Sequence, residues 1–128
     1  MKVSEIMTSP AITVTARHSL KGALIVMREN NLRRTPVVQD GELVGMIVQH
    51  DIEKALQRPG TIPETPVEWV MTKKPLYSVS PDDDIVEAAR IMKDFKISSL
   101  PVISNGNVEG IISETDILGL FIELMRNK

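Results

Sequence analysis

The apolar positions of the chain form two helical stripes and several short runs of β type. Leu20, Ala23, Leu24 and Met27 stand at i, i+3, i+4 and i+7, and Ile85, Ala88, Ala89 and Met92 repeat the spacing. Each set predicts one buried face of a helix. Ahead of the second stripe, Ser80 can cap, Pro81 suits the first helical position, and Asp82, Asp83 and Asp84 favour the positive end of the dipole. Residues 15–18 (Thr-Ala-Arg-His) do the same for the first stripe less well. Short strands are predicted over residues 12–14 and 77–79, after lead-in turns at 3–7 and 67–71. Residues 35–39 and 43–48 flank Asp40-Gly41, and residues 100–104 and 108–113 flank Asn105-Gly106. These dipeptides signal hairpins, because the turn needs positive φ at both positions. Asp51 and Asp116 then open a last helix in each half. The class expected is α/β (α+β), each half a small three-stranded mixed sheet with two helices.

The two halves are one unit repeated. At a shift of 65, Pro10, Val14, Ala23, Met27, Pro36, Val37, Gly41, Gly45, Ile47, Asp51 and Ile52 all meet identical residues, 11 matches over 43 positions. Ordinary composition would give roughly 3 by chance. Before Pro10 the shift is 64, and Val3, Met7 and Thr8 meet Val67, Met71 and Thr72. The division expected is repeat 1 over 1–57, a Pro- and Gly-rich linker over 58–66 and repeat 2 over 67–128. A half of about 60 residues buries only a marginal core alone, so the two are expected to pack as one body.

Composition narrows the function classes. The formal charge of −2, from 15 Lys+Arg against 17 Asp+Glu, argues against a nucleic-acid platform. The absence of cysteine excludes a disulfide framework, a thiolate metal site and a cysteine nucleophile. No apolar run approaches the ~18 residues that span a bilayer, and the N-terminus, acidic and without an apolar core, is unlike a signal peptide. The expectation is a soluble cytoplasmic protein without a membrane partner.

Three motifs, each present twice and in order, resemble the cystathionine-β-synthase (CBS) domain family. They are the lead-ins VSEIMTSP and VEWVMTKKP, the strand-and-turn segments TPVVQDG and LPVISNG, and the closing segments GMIVQHD and GIISETD. The chain looks like a tandem pair of these domains, a module that senses adenosine nucleotides, and the likeness runs from Val3 to about Met125. It implies a paired fold, a pseudo-two-fold axis and two clefts, each taking its closing motif from one repeat and its lead-in from the other.

The closing segment of repeat 2 sets Ser113 and Asp116 three residues apart at a strand-to-helix junction. A carboxylate accepts from both ribose hydroxyls, and a serine with the free amides of a helix start suits a phosphate. Asp116 can equally be a helix cap. In repeat 1, Val48 replaces the hydroxyl and Asp51 remains, with His50 a partial substitute where repeat 2 has Thr115. The resemblance implies that Ser113, Asp116, Ile111 and Thr115 face Thr8, Pro10 and Ile12, and that a weaker site joins Asp51, His50 and Met46 to Thr72, Pro75 and Tyr77. It also places Arg33 and Arg34 at the level of phosphate contacts in the first of these sites, and Ser98 and Ser99 in the weaker one. Arg33 and Arg34 can equally be surface charges at a helix exit, and Lys73-Lys74 a solvated loop.

Neither a catalytic triad nor a zinc-ligand set can be assembled, His18 and His50 lacking second ligands, so no enzyme activity and no covalent cofactor are expected. The final helix is apolar on more than one face, and Leu118, Phe121, Ile122 and Met125 predict a homodimer contact. The expected function is a regulatory module that binds AMP, ADP or ATP, ahead of S-adenosylmethionine, and signals to an effector protein. The alternative is a structural assembly module without nucleotide.

Overall fold

A computed structural model describes residues 1–73 and 77–128. The chain divides into two compact units. The N-unit is Ile12–Leu76, and the C-unit joins Met1–Ala11 to Tyr77–Lys128. Each unit therefore combines the body of one repeat with the lead-in of the other.

In the N-unit, β1 (Val14–Thr15) runs parallel to β2 (Arg34–Gln39), and β2 pairs antiparallel with β3 (Glu42–Val48). A short β4 (Thr72–Lys73), supplied by the second lead-in, adds antiparallel to β3. Two helices complete the unit, α1 (Leu20–Glu29) and α2 (Gln49–Leu56). The C-unit holds α3 (Ile85–Phe95), the antiparallel pair β5 (Ser99–Ser104) and β6 (Asn107–Ser113), and α4 (Glu114–Arg126). Here Val79 bridges Val102 in parallel and Thr8 bridges Ile111 antiparallel, in the places that β1 and β4 fill in the N-unit. The mixed strand-and-helix class expected from the pattern is the one observed.

The hairpins form where the dipeptides predict them. Asp40 and Asn105 both have φ 52°, and Gly41 and Gly106 both φ 82°. The two successive positive φ values match the right-handed twist of the flanking strands.

Helix starts differ from expectation. Ser19, not residues 15–18, caps α1, its Oγ accepting from Gly22 N at 3.0 Å. His18 instead closes a turn, its Nδ1 accepting from Thr15 N at 2.9 Å. Asp84, not Ser80, caps α3, accepting from Val86 N at 2.9 Å. Ser80 and Asp83 form a turn before the helix, with Ser80 N donating to the Asp83 carboxylate at 2.8 Å. The cause is tertiary: Val3 N and Ser4 N donate to the carbonyls of Asp83 and Pro81 at 2.8 and 2.9 Å, and Ile85 N donates to Met1 O at 3.0 Å. The incoming lead-in binds the carbonyls of the turn at 81–83 and delays the helix.

The N-unit repeats the arrangement. Val67 N and Glu68 N donate to His18 O and Ala16 O at 2.8 and 3.1 Å. Carbonyls of the linker take up free amides at the start of α1, Leu20 N reaching Thr65 O at 2.8 Å and Lys21 N reaching Pro63 O at 3.1 Å.

Each lead-in also plugs a core. Val67 is fully buried with Val14, Leu20, Met27, Val37, Ile47 and Ile52, and Val3 with Leu100, Val102, Ile112 and Ala88. Burying one such valine contributes about 1.5–3 kcal/mol, which ties each lead-in to its unit.

Candidate functional site

The C-unit site is built on β6. Successive residues of a strand face opposite ways. Ile112 with Leu100 and Val102 faces the helix-packed core, which turns Ile111, Ser113 and Ser99 to the other face. Thr8 is laid along this edge by two hydrogen bonds, Thr8 N to Ile111 O at 2.8 Å and Ile111 N to Thr8 O at 3.0 Å. Gly110 makes the approach possible, since a Cβ there would stand 2.7 Å from Thr8 O and 2.9 Å from Met7 Sδ. Thr8 and Pro10 are exposed.

Ser113 caps α4 in a reciprocal box. Its N and Oγ donate to Asp116 Oδ2 at 2.9 and 3.0 Å, and its Oγ accepts from Asp116 N at 3.2 Å. The two readings of Asp116, cap and ligand group, are compatible: one carboxylate oxygen caps, and among the described residues the other accepts no hydrogen bond. Directly across the ladder from Ser113 stands Ser99, which the resemblance put in the weaker site; it is 7% exposed, and its hydroxyl has no hydrogen-bond partner among the described residues. Ser98 is partly exposed, and its carbonyl accepts from Glu114 N at 2.9 Å. Thr115 is exposed on the first turn of α4.

The N-unit has the same frame with different chemistry. Thr72 pairs with Met46, and Gly45 lets the lead-in pass with Thr72 O 2.8 Å from where a Cβ would stand. Arg33 and Arg34, which the resemblance put with Ser113 and Asp116, belong to this frame: Arg34 lies opposite Val48 and its Nε is buried without a partner among the described residues, while Arg33 is exposed and its carbonyl accepts from Gln49 N at 2.8 Å. The strand thus turns one arginine of the pair inward, as alternation requires. Val48 precedes α2 and makes no side-chain cap. Asp51, unlike Asp116, has no hydrogen-bond partner among the described residues. His50 is exposed.

Ile12 and Tyr77 fall in the other unit from the residues they were expected to join. Ile12, 37% exposed, begins the N-unit, whereas Thr8 and Pro10 belong to the C-unit. Tyr77 begins the C-unit, and its ring stacks on Phe95 with centroids 4.3 Å apart. Pro75, with Lys74, lies outside the described residues.

Sequence reasoning missed Lys54, Arg58 and Trp69. With Asp51, Ala55 and Val70 they line a cavity of about 190 Å³ in the N-unit. The signal was present in the repeat alignment, where these positions meet Gly119, Glu123 and Glu5. In the C-unit a second cavity, about 250 Å³, opens between α3 and α4 and is lined by Ala89, Met92, Lys93, Glu114, Ile117 and Leu118. Leu118, Phe121, Ile122 and Met125 of α4 are 59, 56, 52 and 46% exposed. Among the described residues no helix is long and apolar enough to cross a membrane.

The chain is 30% identical over 115 residues to the CBS domain-containing protein YhcV of Bacillus subtilis, covering 90% of this chain and 81% of that one. Other curated relatives are longer, and the chain spans 45, 33 and 14% of three of them. The crystal structure of AcuB from Vibrio cholerae superposes with a TM-score of 0.88 at 31% identity, covering 98% of this chain and 93% of that one. The CBS domain pair of protein MJ0100, solved in complex with 5′-methylthioadenosine and S-adenosyl-L-methionine, superposes at 0.85 with 30% identity, over 96% of this chain and 97% of that one. The CBS domain pattern itself matches twice, over residues 3–58 and 67–123, which is most of the chain and both repeats. The chain belongs to the CBS domain family and carries the domain as a tandem pair.

Proposed function

We propose that the chain is a regulatory module that binds an adenosine-containing ligand in each unit and passes the bound state to a partner protein. The observation that carries this reading is the Ser99 hydroxyl. It is buried, it has no partner among the described residues, and it lies across from the Ser113–Asp116 box on the face of β5 and β6 away from the core. A buried hydroxyl left unpaired costs about 1–3 kcal/mol, a cost that a ligand oxygen removes. The Arg34 Nε is the corresponding group of the N-unit. Ribose hydroxyls suit the free oxygen of Asp116, phosphate suits Ser99, Ser113 and the first amides of α4, and the base lies along Thr8, Pro10 and Ile111. The solved complex of MJ0100 with two adenosine compounds supports the ligand class. Because Thr8 comes from repeat 1 and Asp116 from repeat 2, a ligand here draws on both repeats. Any arrangement it prefers becomes more populated.

Calorimetry with AMP, ATP and S-adenosylmethionine tests the reading. Wild-type protein should bind at least one of them, and Asp116→Ala should weaken that binding by about 1–3 kcal/mol, the worth of hydrogen bonds to a charged group. Absence of heat with all three would refute it.

A second reading has its own observation. The exposed apolar residues of α4 form a surface that a small domain rarely leaves bare, and it suits a two-fold contact with a second copy of the chain. Regulation and assembly are compatible in one module.

A further inference from the structure

The two units present opposite charge at equivalent positions. Asp51 and Lys54 of α2 and Arg58, two residues past its end, line one cavity, and the turn Val67–Trp69 brings Trp69 to it. At the matching positions the C-unit carries Asp116, Gly119, Glu123 and Glu5. The N-unit set includes two cations and one anion, and the C-unit set three anions and no cation. Among the described residues, Lys54, Arg58 and Asp51 make no ion pair. Lys54, in the last turn of α2, and Arg58, just beyond its end, line the same cavity, so both heads can reach one group. Trp69 is 78% exposed, an indole wall without a cover.

The geometry points to a phosphate subsite in this cavity: Lys54 and Arg58 hold the phosphate chain of an adenine nucleotide whose ribose is on Asp51, which makes the N-unit selective for nucleoside di- and triphosphates. The inference rests on the adenosine reading above and assigns the phosphate end of that ligand. It accounts for Val48, which removes the hydroxyl that repeat 2 uses at this point. The anion contacts then include Lys54 and Arg58 as well as the one that Arg34 offers at the strand end. The volume fits, since about 190 Å³ is smaller than the ~300–1,000 Å³ that enclose a whole drug-sized ligand but ample for part of one. An arginine fork and a flexible ammonium are the usual pair for such a chain. The acidic set of the C-unit repels polyphosphate and leaves that site to adenosine compounds of low negative charge.

Trp69 is the only tryptophan of the chain and reports on the subsite directly. Its fluorescence should be titrated with adenosine, AMP, ADP, ATP and inorganic tripolyphosphate, in wild type and in Lys54→Gln/Arg58→Gln. Glutamine keeps helix propensity, and both side chains are exposed, so folding is preserved. Affinity should rise from adenosine to ATP. The double variant should lose at least about tenfold for ATP, the loss of one hydrogen bond to a charged group, and nothing for adenosine. Tripolyphosphate alone should alter Trp69 emission in wild type only. Equal affinities for adenosine and ATP, or an equal loss of both in the variant, would overturn the subsite while leaving the adenosine reading intact. A tripolyphosphate response without binding of any adenosine compound would support the anion cavity and refute the adenosine reading.

Discussion

Gly110 is where the sequence most directly controls how a lead-in is held against its unit. An alanine there would put a methyl carbon 2.7 Å from Thr8 O and 2.9 Å from Met7 Sδ. The sulfur can swing away, but the carbonyl cannot, because Ile111 N binds it at 3.0 Å while Thr8 N holds Ile111 O at 2.8 Å. Gly110→Ala must therefore displace the strand edge or break that bridge. Overpacking of this kind costs about 1–3 kcal/mol, and loss of the bridge adds about 1 kcal/mol per hydrogen bond. With both hydrogen bonds lost the sum is about 3–5 kcal/mol, which at this chain length corresponds to a fall in Tm of roughly 10–20 °C. Gly119→Ala is the internal control: it lies in α4, a Cβ there meets nothing within 4 Å, and alanine should raise helix stability by about 0.5–1 kcal/mol. Urea unfolding of both variants and the wild type reads the difference, and calorimetry with AMP reads the site. Gly110→Ala should be less stable and bind more weakly, since Thr8 and Pro10 move with the displaced edge. A Gly110→Ala protein as stable as Gly119→Ala, with unchanged ligand affinity, would show that the lead-in is not held as described.

Other variants probe separate parts of the account. Thr35 is fully buried on the core side of β2 and its hydroxyl has no partner among the described residues, so Thr35→Val should stabilise the fold by about 1 kcal/mol in urea unfolding. Asp116→Asn should weaken adenosine binding more than it weakens the fold, because a neutral amide still accepts from the Ser113 amide but loses the charge; equal losses would favour a purely structural cap. Phe121→Asp places a charge on the exposed face of α4 and should shift sedimentation from dimer to monomer at micromolar concentration. An unchanged dimer would move the contact elsewhere.

Much of the fold was legible from local chemistry. Asn105-Gly106 and Asp40-Gly41 specify their turns without help from distant residues, and the stripes ending in Met27 and Met92 have their buried faces where the spacing put them. Helix starts were not legible in the same way. Ser80, Pro81 and three aspartates suit an early start to α3, but the backbone of the first lead-in occupies the carbonyls of Pro81 and Asp83. A contact across some 80 residues decides between two locally acceptable caps, and no window of sequence contains it. The candidate site divides similarly. Ser113 and Asp116 carry their spacing on the surface of the sequence, and the inward turn of Arg34 follows from strand alternation. The joining of Lys54 and Arg58 to Trp69 requires α2 to lie beside the second lead-in, a packing fact visible only once the chain is folded.

The central claim is that the free oxygen of Asp116 and the orphaned hydroxyl of Ser99 wait for an adenosine ligand. Crystals grown with AMP test it most directly. The account predicts density with ribose hydroxyls on Asp116, phosphate oxygens on Ser99 and Ser113, and the base along Thr8 and Ile111. Density absent from both units at millimolar AMP, with Ser99 satisfied by another protein group, would contradict it.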